Sequence, residues 1–207
     1  MLTFSEDNFH ALCDTVSARD GALKKVLRQF GYPPMWTRPA SFRTLIHIVL
    51  EQQVSLASAL AALRKLEEKI QVITPENLLT LDDAALKSCY FSRQKSLYAR
   101  EIAGAMVSGV LDLDRLADEE NEIIRNHLKK IKGIGDWTVD IYLLMALQRR
   151  DIFPLGDLAM VNSLKQLKKL PAGTEKDALF KIADKWRPLR SIATMILWHH
   201  YLEQRRK

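Results

Sequence analysis

An all-α fold is predicted for this 207-residue chain. Three observations carry the prediction. Apolar residues recur at three- and four-residue spacing along most of the chain, strand-like alternation is convincing nowhere, and capping residues with glycine or proline breaks separate the periodic segments. Those segments run Phe9 to Val16, Leu23 to Phe30, Phe42 to Leu50, Leu56 to Ile70, Leu97 to Val107, Ile123 to Leu128, Trp137 to Leu147, Leu158 to Leu167, Leu179 to Trp186 and Ile192 to Leu202. Ser5, Ser41, Ser55, Thr74 ahead of Pro75-Glu76, Asp82 and Thr174 ahead of Glu175 are candidate N-caps. Breaks fall at Gly31 to Pro34, Arg38-Pro39, Gly109, Gly133 to Gly135, Pro154 to Gly156 and Pro171 to Gly173.

Composition narrows the class. With 47% hydrophobic residues the chain can fill a core as one domain or two intimately packed lobes. A formal net charge of +6 favours a polyanionic partner and equally serves solubility. Cys13 and Cys89 suit a reducing cytosol and cannot supply the four thiolates of an iron–sulfur cluster. Met1 to Cys13 lacks the apolar run of a signal peptide, and no stretch is apolar enough to span a membrane, so cytoplasm or nucleoid is expected.

Residues 128 to 157 carry the chemistry. Lys132-Gly133-Ile134-Gly135 sets two glycines where the backbone must turn tightly, and the helix that follows opens with unpaired N–H groups and a positive dipole end. Together these make an anion site; the alternative is an ordinary helix-turn-helix connection. Lys129, Lys130 and Lys132 precede the turn, and Ile131, Ile134 and Val139 can hold the two helices together. Phe153-Pro154-Leu155-Gly156-Asp157 then delivers one carboxylate at a helix start, where an N-cap is the alternative role. A phosphate grip and a lone acid suggest chemistry on nucleic acid.

Four ordered blocks give a resemblance. The run Leu128 to Asp140 resembles the helix-hairpin-helix motif of the HhH-GPD DNA glycosylase superfamily, and Leu155-Gly156-Asp157 resembles its loop ending in an essential aspartate. Leu45 to Ser55, with its Gln52-Gln53-Val54-Ser55 turn, is similar to the 3-methyladenine DNA glycosylase II branch, as are Trp186 to Ala193 and Trp198. The match runs from about Asp20 to the chain's end. It implies two packed helical lobes with an interlobe DNA-binding cleft and no β domain, since only about twenty residues precede Asp20. Residues near 40–128 would form a central lobe, and residues near 1–39 with 129–207 the second lobe of a single 1–207 domain.

The resemblance also assigns residues. Asp157 becomes catalytic: cleaving an N-glycosidic bond builds positive charge on the sugar, which a nearby carboxylate stabilises. Asp136, read as a cap, and Asp140 and Asp151 are rival acids. Trp137 stands where bifunctional members carry a Schiff-base lysine, which implies a monofunctional hydrolase leaving an abasic site. Trp137 and Trp198, then Tyr142 and Trp36, are candidates for the base pocket, where aromatic faces favour a cationic alkylated purine. Close relatives have tyrosine four residues after that tryptophan; here Ile141 occupies the place and Tyr142 follows.

Lys132, Gly133, Ile134 and Gly135 would grip phosphate, with a solvated loop lysine as the alternative for Lys132. Gln52, Gln53 and Ser55 would meet DNA at the turn, Gln53 matching the position that fills the gap left by a flipped base, with an amide capping the helix end as the alternative. Lys165, Lys168 and Lys169 either meet phosphate or, the favoured reading, stand as solvated surface, and Arg187 and Arg190 either meet phosphate or brace the active-site lobe. His47, His127, His199 and His200 lack metal-ligand spacing, so no catalytic metal is expected, although hairpin carbonyls in this superfamily can hold a monovalent cation. The implied function is excision of 3-methyladenine- or 7-methylguanine-type bases from double-stranded DNA by a monomer without a required cofactor. The alternatives are a noncatalytic DNA-binding module, or a glycosylase for oxidised, deaminated or mismatched bases.

Overall fold

The computed structural model describes residues 2–205. Among these, thirteen helices occur: α1 (Glu6–Ala18), α2 (Gly21–Phe30), α3 (Phe42–Glu51), α4 (Leu56–Ile70), α5 (Pro75–Leu79), α6 (Asp83–Ser88), α7 (Arg93–Val107), α8 (Leu113–Ala117), α9 (Asn121–Leu128), α10 (Asp136–Met145), α11 (Leu158–Lys168), α12 (Lys176–Asp184) and α13 (Arg190–Glu203). An isolated bridge pairs Thr3 with Arg149, and no strand is present among the described residues. No described helix is long and apolar enough to cross a membrane.

Local chemistry sets the helix starts. Side chains of Ser41, Ser55, Thr74 and Asp82 accept from the N–H groups of Thr44, Ser58, Asn77 and Ala85. Ser5 caps α1 with its N–H donated to the Asn8 side chain at 3.0 Å. Thr174 does otherwise: its hydroxyl donates to the Pro171 carbonyl at 2.7 Å, closing a turn, and Glu175 takes the cap position of α12. Helices α5, α6 and α8 are too short to reveal a 3.6-residue period, and only the caps at Thr74 and Asp82 hint at the first two.

The chain divides into two units, Met1–Thr37 with Leu143–Lys207, and Arg38–Tyr142. In the first, hereafter the flanking unit, α13 is buried along Arg190 to His200 and packs on α1, α2 and α11. In the second, the central unit, α3 packs on α4 and α7, and α5 and α6 also pack on α7. Fully burying each leucine or isoleucine of α3 contributes about 1.5–3 kcal/mol, so this helix is a main source of the unit's cohesion. The division falls within α10 and assigns the glycine hairpin to the central unit, whereas the sequence groups residues 129–142 with the termini. The reason is packing that spacing does not reveal: the hairpin is bound to α3 and α7 by contacts described below.

A buried carboxylate organises the flanking unit. Asp20 caps α2 through the Ala22 N–H and also accepts from Lys168 at 2.5 Å, Lys185 at 2.8 Å and the Trp186 indole N–H at 2.9 Å, with its side chain 0% exposed. Burial alone would raise its pKa, but hydrogen bonds from Lys168, Lys185, Trp186 and Ala22 outweigh it and hold the group at about 2. Since the folded value lies below the unfolded one, the stabilisation is complete above about pH 4 and is lost as pH falls towards 2. Asp20→Asn is therefore expected to lower stability by roughly 2 kcal/mol at pH 7. Chemical denaturation of both proteins should show that gap narrowing between pH 4 and 2; a gap independent of pH would refute the role.

Candidate active site and glycine hairpin

In the flanking unit, the loop after α10 is held from below. Ile152, Phe153 and Pro154 are buried, and the Phe153 ring lies edge-on to Trp186 at 6.0 Å. The Ser191 hydroxyl accepts from the Ile152 N–H at 2.9 Å and donates to the Arg149 carbonyl. Arg190 grips the Asp151 carboxylate with Nε at 2.7 Å and Nη2 at 2.9 Å, while Arg187 adds a contact at 3.2 Å. Both arginines thus brace the loop, and Asp151 is occupied as their partner. The chain turns with the Asp157 N–H donating to the Pro154 carbonyl at 2.8 Å.

Asp157 is the N-cap of α11 and half-buried. Its Oδ1 accepts from the Met160 N–H at 2.8 Å and from the Trp198 indole N–H at 3.0 Å. Two donors from different helices fix the direction of the carboxyl group, which a surface cap held by backbone alone would lack. Trp198 is 8% exposed, and Trp36 meets it edge-on at 6.2 Å. The sequence suggests an aromatic face for Trp198; the structure adds the indole N–H as a support for the acid, which no spacing pattern encodes. Trp36 is half-buried.

The central unit builds the hairpin. Ile131, Ile134 and Val139 are buried and seat it, with the Ile134 N–H bonded to the Ile131 carbonyl at 3.1 Å. The Val139 N–H donates to the Gly135 carbonyl at 3.1 Å, so α10 begins there and its first N–H groups lack intrahelical partners. Gly133 has φ +97°, and a Cβ on it would stand 2.2 Å from Cγ of Tyr98 on α7. The close approach that this glycine permits is thus to a protein ring. Gly135 faces open space, Lys132 is exposed, and Trp137 is half-buried on the first turn of α10.

Several expected residues lie elsewhere than the sequence suggests. Asp136 is not the cap: it is the first residue of α10, with its carboxylate 2.7 Å from Lys129 and 3.2 Å from Arg125. The Lys129 hydrogen bond first, and both positive charges with it, lower its pKa. Arg125 also reaches Asp140 at 2.5 Å. Tyr142, expected in the base pocket, is 1% exposed with a buried hydroxyl that finds no hydrogen-bond partner. Burial, then the nearby Asp114 charge, drives its pKa far up, and the residue belongs to the core.

At the α3–α4 turn the two glutamines part. Gln52 donates its amide to the Gly133 carbonyl and to the Thr138 hydroxyl, each at 3.0 Å, while Gln53 is exposed with φ +58°. Exposed Ser55 spends its hydroxyl on the Ser58 N–H at 3.1 Å. Of the histidines, His199 bonds the Phe30 carbonyl, His200 bonds Ser163, and His47 lies 3.5 Å from Glu51. No group of three potential metal-binding side chains occurs among the described residues. The hairpin offers hard carbonyl oxygens; those of Ile131 and Gly133 each accept one hydrogen bond and keep a second lone pair, which fits a monovalent cation.

Comparison with known proteins gives consistent likenesses. The family described as "HhH-GPD superfamily base excision DNA repair protein" matches residues 46–188. DNA-3-methyladenine glycosylase 1 of Schizosaccharomyces pombe is 32% identical over 161 residues, covering 76% of this chain and 71% of that protein. A putative DNA-3-methyladenine glycosylase of Bacillus subtilis is 28% identical over 86% of this chain, which spans only 64% of that protein's length. Among solved structures, a 3-methyladenine DNA glycosylase of Schizosaccharomyces pombe bound to abasic DNA superposes with a TM-score of 0.84 at 29% identity, covering 91% of this chain and 95% of that one.

The packing of Gly133 can be tested without DNA. Gly133→Ala is expected to lose about 1–3 kcal/mol from its backbone conformation, with a further loss from the Tyr98 clash. Adding Tyr98→Ala should recover part of the second loss. A Gly133→Ala protein that melts at the wild-type temperature would contradict the geometry.

Proposed function

Because the chain belongs to the HhH-GPD superfamily of base excision DNA repair proteins, we propose that it is a monofunctional DNA glycosylase hydrolysing the N-glycosidic bond of alkylated purines. The observation that carries this reading is the Asp157 carboxyl group, oriented by Met160 and Trp198 at the end of a loop that Arg190 and Ser191 immobilise. A preorganised anion needs no rearrangement as charge develops on the sugar.

The bond between C1′ and the purine nitrogen breaks with its electron pair leaving on the base. Asp157 offsets the positive charge that builds on the sugar, water adds to C1′, and the proton it sheds passes to the carboxylate or to solvent. Alkylation at N3 or N7 makes the base cationic and a good leaving group, so this scheme requires no protonation of the base by the protein. Trp137, where bifunctional members have lysine, supplies no amine for a Schiff base. In this reading the hairpin N–H groups and Lys132 hold phosphate and the exposed Gln53 stands ready to fill the gap left by the flipped base. The partner is double-stranded DNA with damaged bases, met by a monomer in the cytoplasm at the nucleoid.

Base release from duplexes carrying 3-methyladenine, 7-methylguanine, hypoxanthine, uracil or 8-oxoguanine tests the proposal. The methylated purines should be released fastest, strands should break only after alkali, and Asp157→Asn should slow release by roughly 10²–10³-fold. Intact activity in that variant would remove Asp157 from the chemistry. Inactivity of the wild type on every duplex, with DNA binding retained, would favour a binding module.

A further inference from the structure

We infer that Gln52 is a positioning residue, which locks the glycine hairpin to the α3–α4 turn so that both meet DNA as one prearranged surface. The inference rests on the glycosylase reading for its purpose, but its geometry stands apart from it. The amide nitrogen of Gln52 spans two points of the hairpin, the Gly133 carbonyl and the Thr138 hydroxyl, each at 3.0 Å. A carbonyl only accepts, so the orientation of the amide is fixed by its partner. Thr138 is 2% exposed, and the α-carbon of Gly133 is pressed on the Tyr98 ring, so both acceptors are themselves immobile.

The other end of the lock is equally firm. Lys95 donates to the Leu50 carbonyl at 2.5 Å, and Arg38 meets both carboxylate oxygens of Glu51 at 2.6 and 3.0 Å. Gln52 then leaves the helix with ψ 121°, and Gln53 follows at φ +58°. That change of hand directs consecutive side chains differently: one glutamine is spent on the hairpin and its neighbour is exposed. Gln53 is therefore the residue available to the duplex. Fixing the spacing of phosphate grip and inserting side chain before DNA arrives lowers the ordering cost of binding.

The test compares Gln52→Met, which keeps length and loses both donors, with Gln52→Glu, Thr138→Val and Gln53→Ala. Amide hydrogen exchange at the hydrogen-bonded N–H groups of Ile134 and Val139 in the free protein, affinity for a duplex with an abasic-site analogue, and single-turnover base release are measured for each. Gln52→Met is expected to speed hairpin exchange at least tenfold and to weaken DNA binding roughly tenfold, with single-turnover release at saturating enzyme within about threefold of wild type. Gln52→Glu should behave like Gln52→Met, because a carboxylate cannot donate to a carbonyl. Thr138→Val should show a smaller effect that does not add to that of Gln52→Met.

Gln53→Ala should leave hairpin exchange unchanged and slow the release step. Hairpin exchange and affinity within twofold of wild type in Gln52→Met would overturn the inference, as would slowed release with unchanged affinity, which would make Gln52 the inserting residue. Should Gln52→Met fail to fold, Thr138→Val carries the exchange measurement, and unchanged exchange there overturns the lock. A wild type inactive on damaged DNA would sink the enzymatic reading alone, since exchange in the free protein is read without turnover.

Discussion

The Asp157 carboxyl group accepts hydrogen bonds from the Met160 N–H and the Trp198 indole, and the flanking unit is arranged to preserve that pairing. Trp198 sits on α13, whose near-complete burial leaves it little freedom to shift. Met160 sits in the first turn of α11, which packs on the same helix. Upstream, Arg190 and Ser191 at the start of α13 secure Asp151 and Ile152. One buried helix therefore supplies both the support beneath the loop and the donor that aims the acid. A cap held by backbone alone would serve α11 equally well, so the indole donor and the two arginines are where the structure exceeds what helix initiation requires.

The hairpin follows the same logic by a different device. Its turn needs a positive φ at Gly133, and that residue is used twice, once for its conformation and once for the Tyr98 ring packed on its α-carbon. Gln52 then ties the carbonyl of that residue to the end of α3. The charged residues near the hairpin are also partly neutralised among themselves, Asp136 by Lys129 and Arg125, Asp140 by Arg125. An unpaired acid at the head of α10 would repel phosphate; a paired one leaves the dipole and the N–H groups to dominate.

Much of this was legible in the sequence wherever a local rule decides the outcome. The long helices follow from a 3.6-residue period, whereas the glycine turn and the carboxylate after Pro154-Leu155-Gly156 also admit a plain connection and a plain cap, and take their expected roles from the family resemblance. What stayed hidden depends on partners distant in the chain. Nothing around Asp136 signals Arg125 and Lys129, and nothing around Gly133 names Tyr98 as the group beneath it. Tyr142 reads as a base-pocket candidate beside Ile141, and only the fold puts both in the core. The two glutamines differ through one backbone dihedral at Gln53, and the grouping of the hairpin with α3 and α7 rests on those same contacts.

The acids sort by how they are held. Asp20 is buried and bound by two lysines, an indole and a backbone N–H, an arrangement whose strength shows in a pKa near 2. Asp151 is clasped by two guanidinium groups, and Asp136 and Asp140 share a third. Asp157 is half-buried at the end of its loop, and its Oδ1 accepts from two neutral N–H donors, those of Met160 and Trp198. A neutral donor aims a carboxylate without cancelling its charge, whereas an ion pair consumes the field that a developing cation would feel. In the proposed glycosylase reading, the Met160 and Trp198 donors aim the Asp157 carboxyl group for that task.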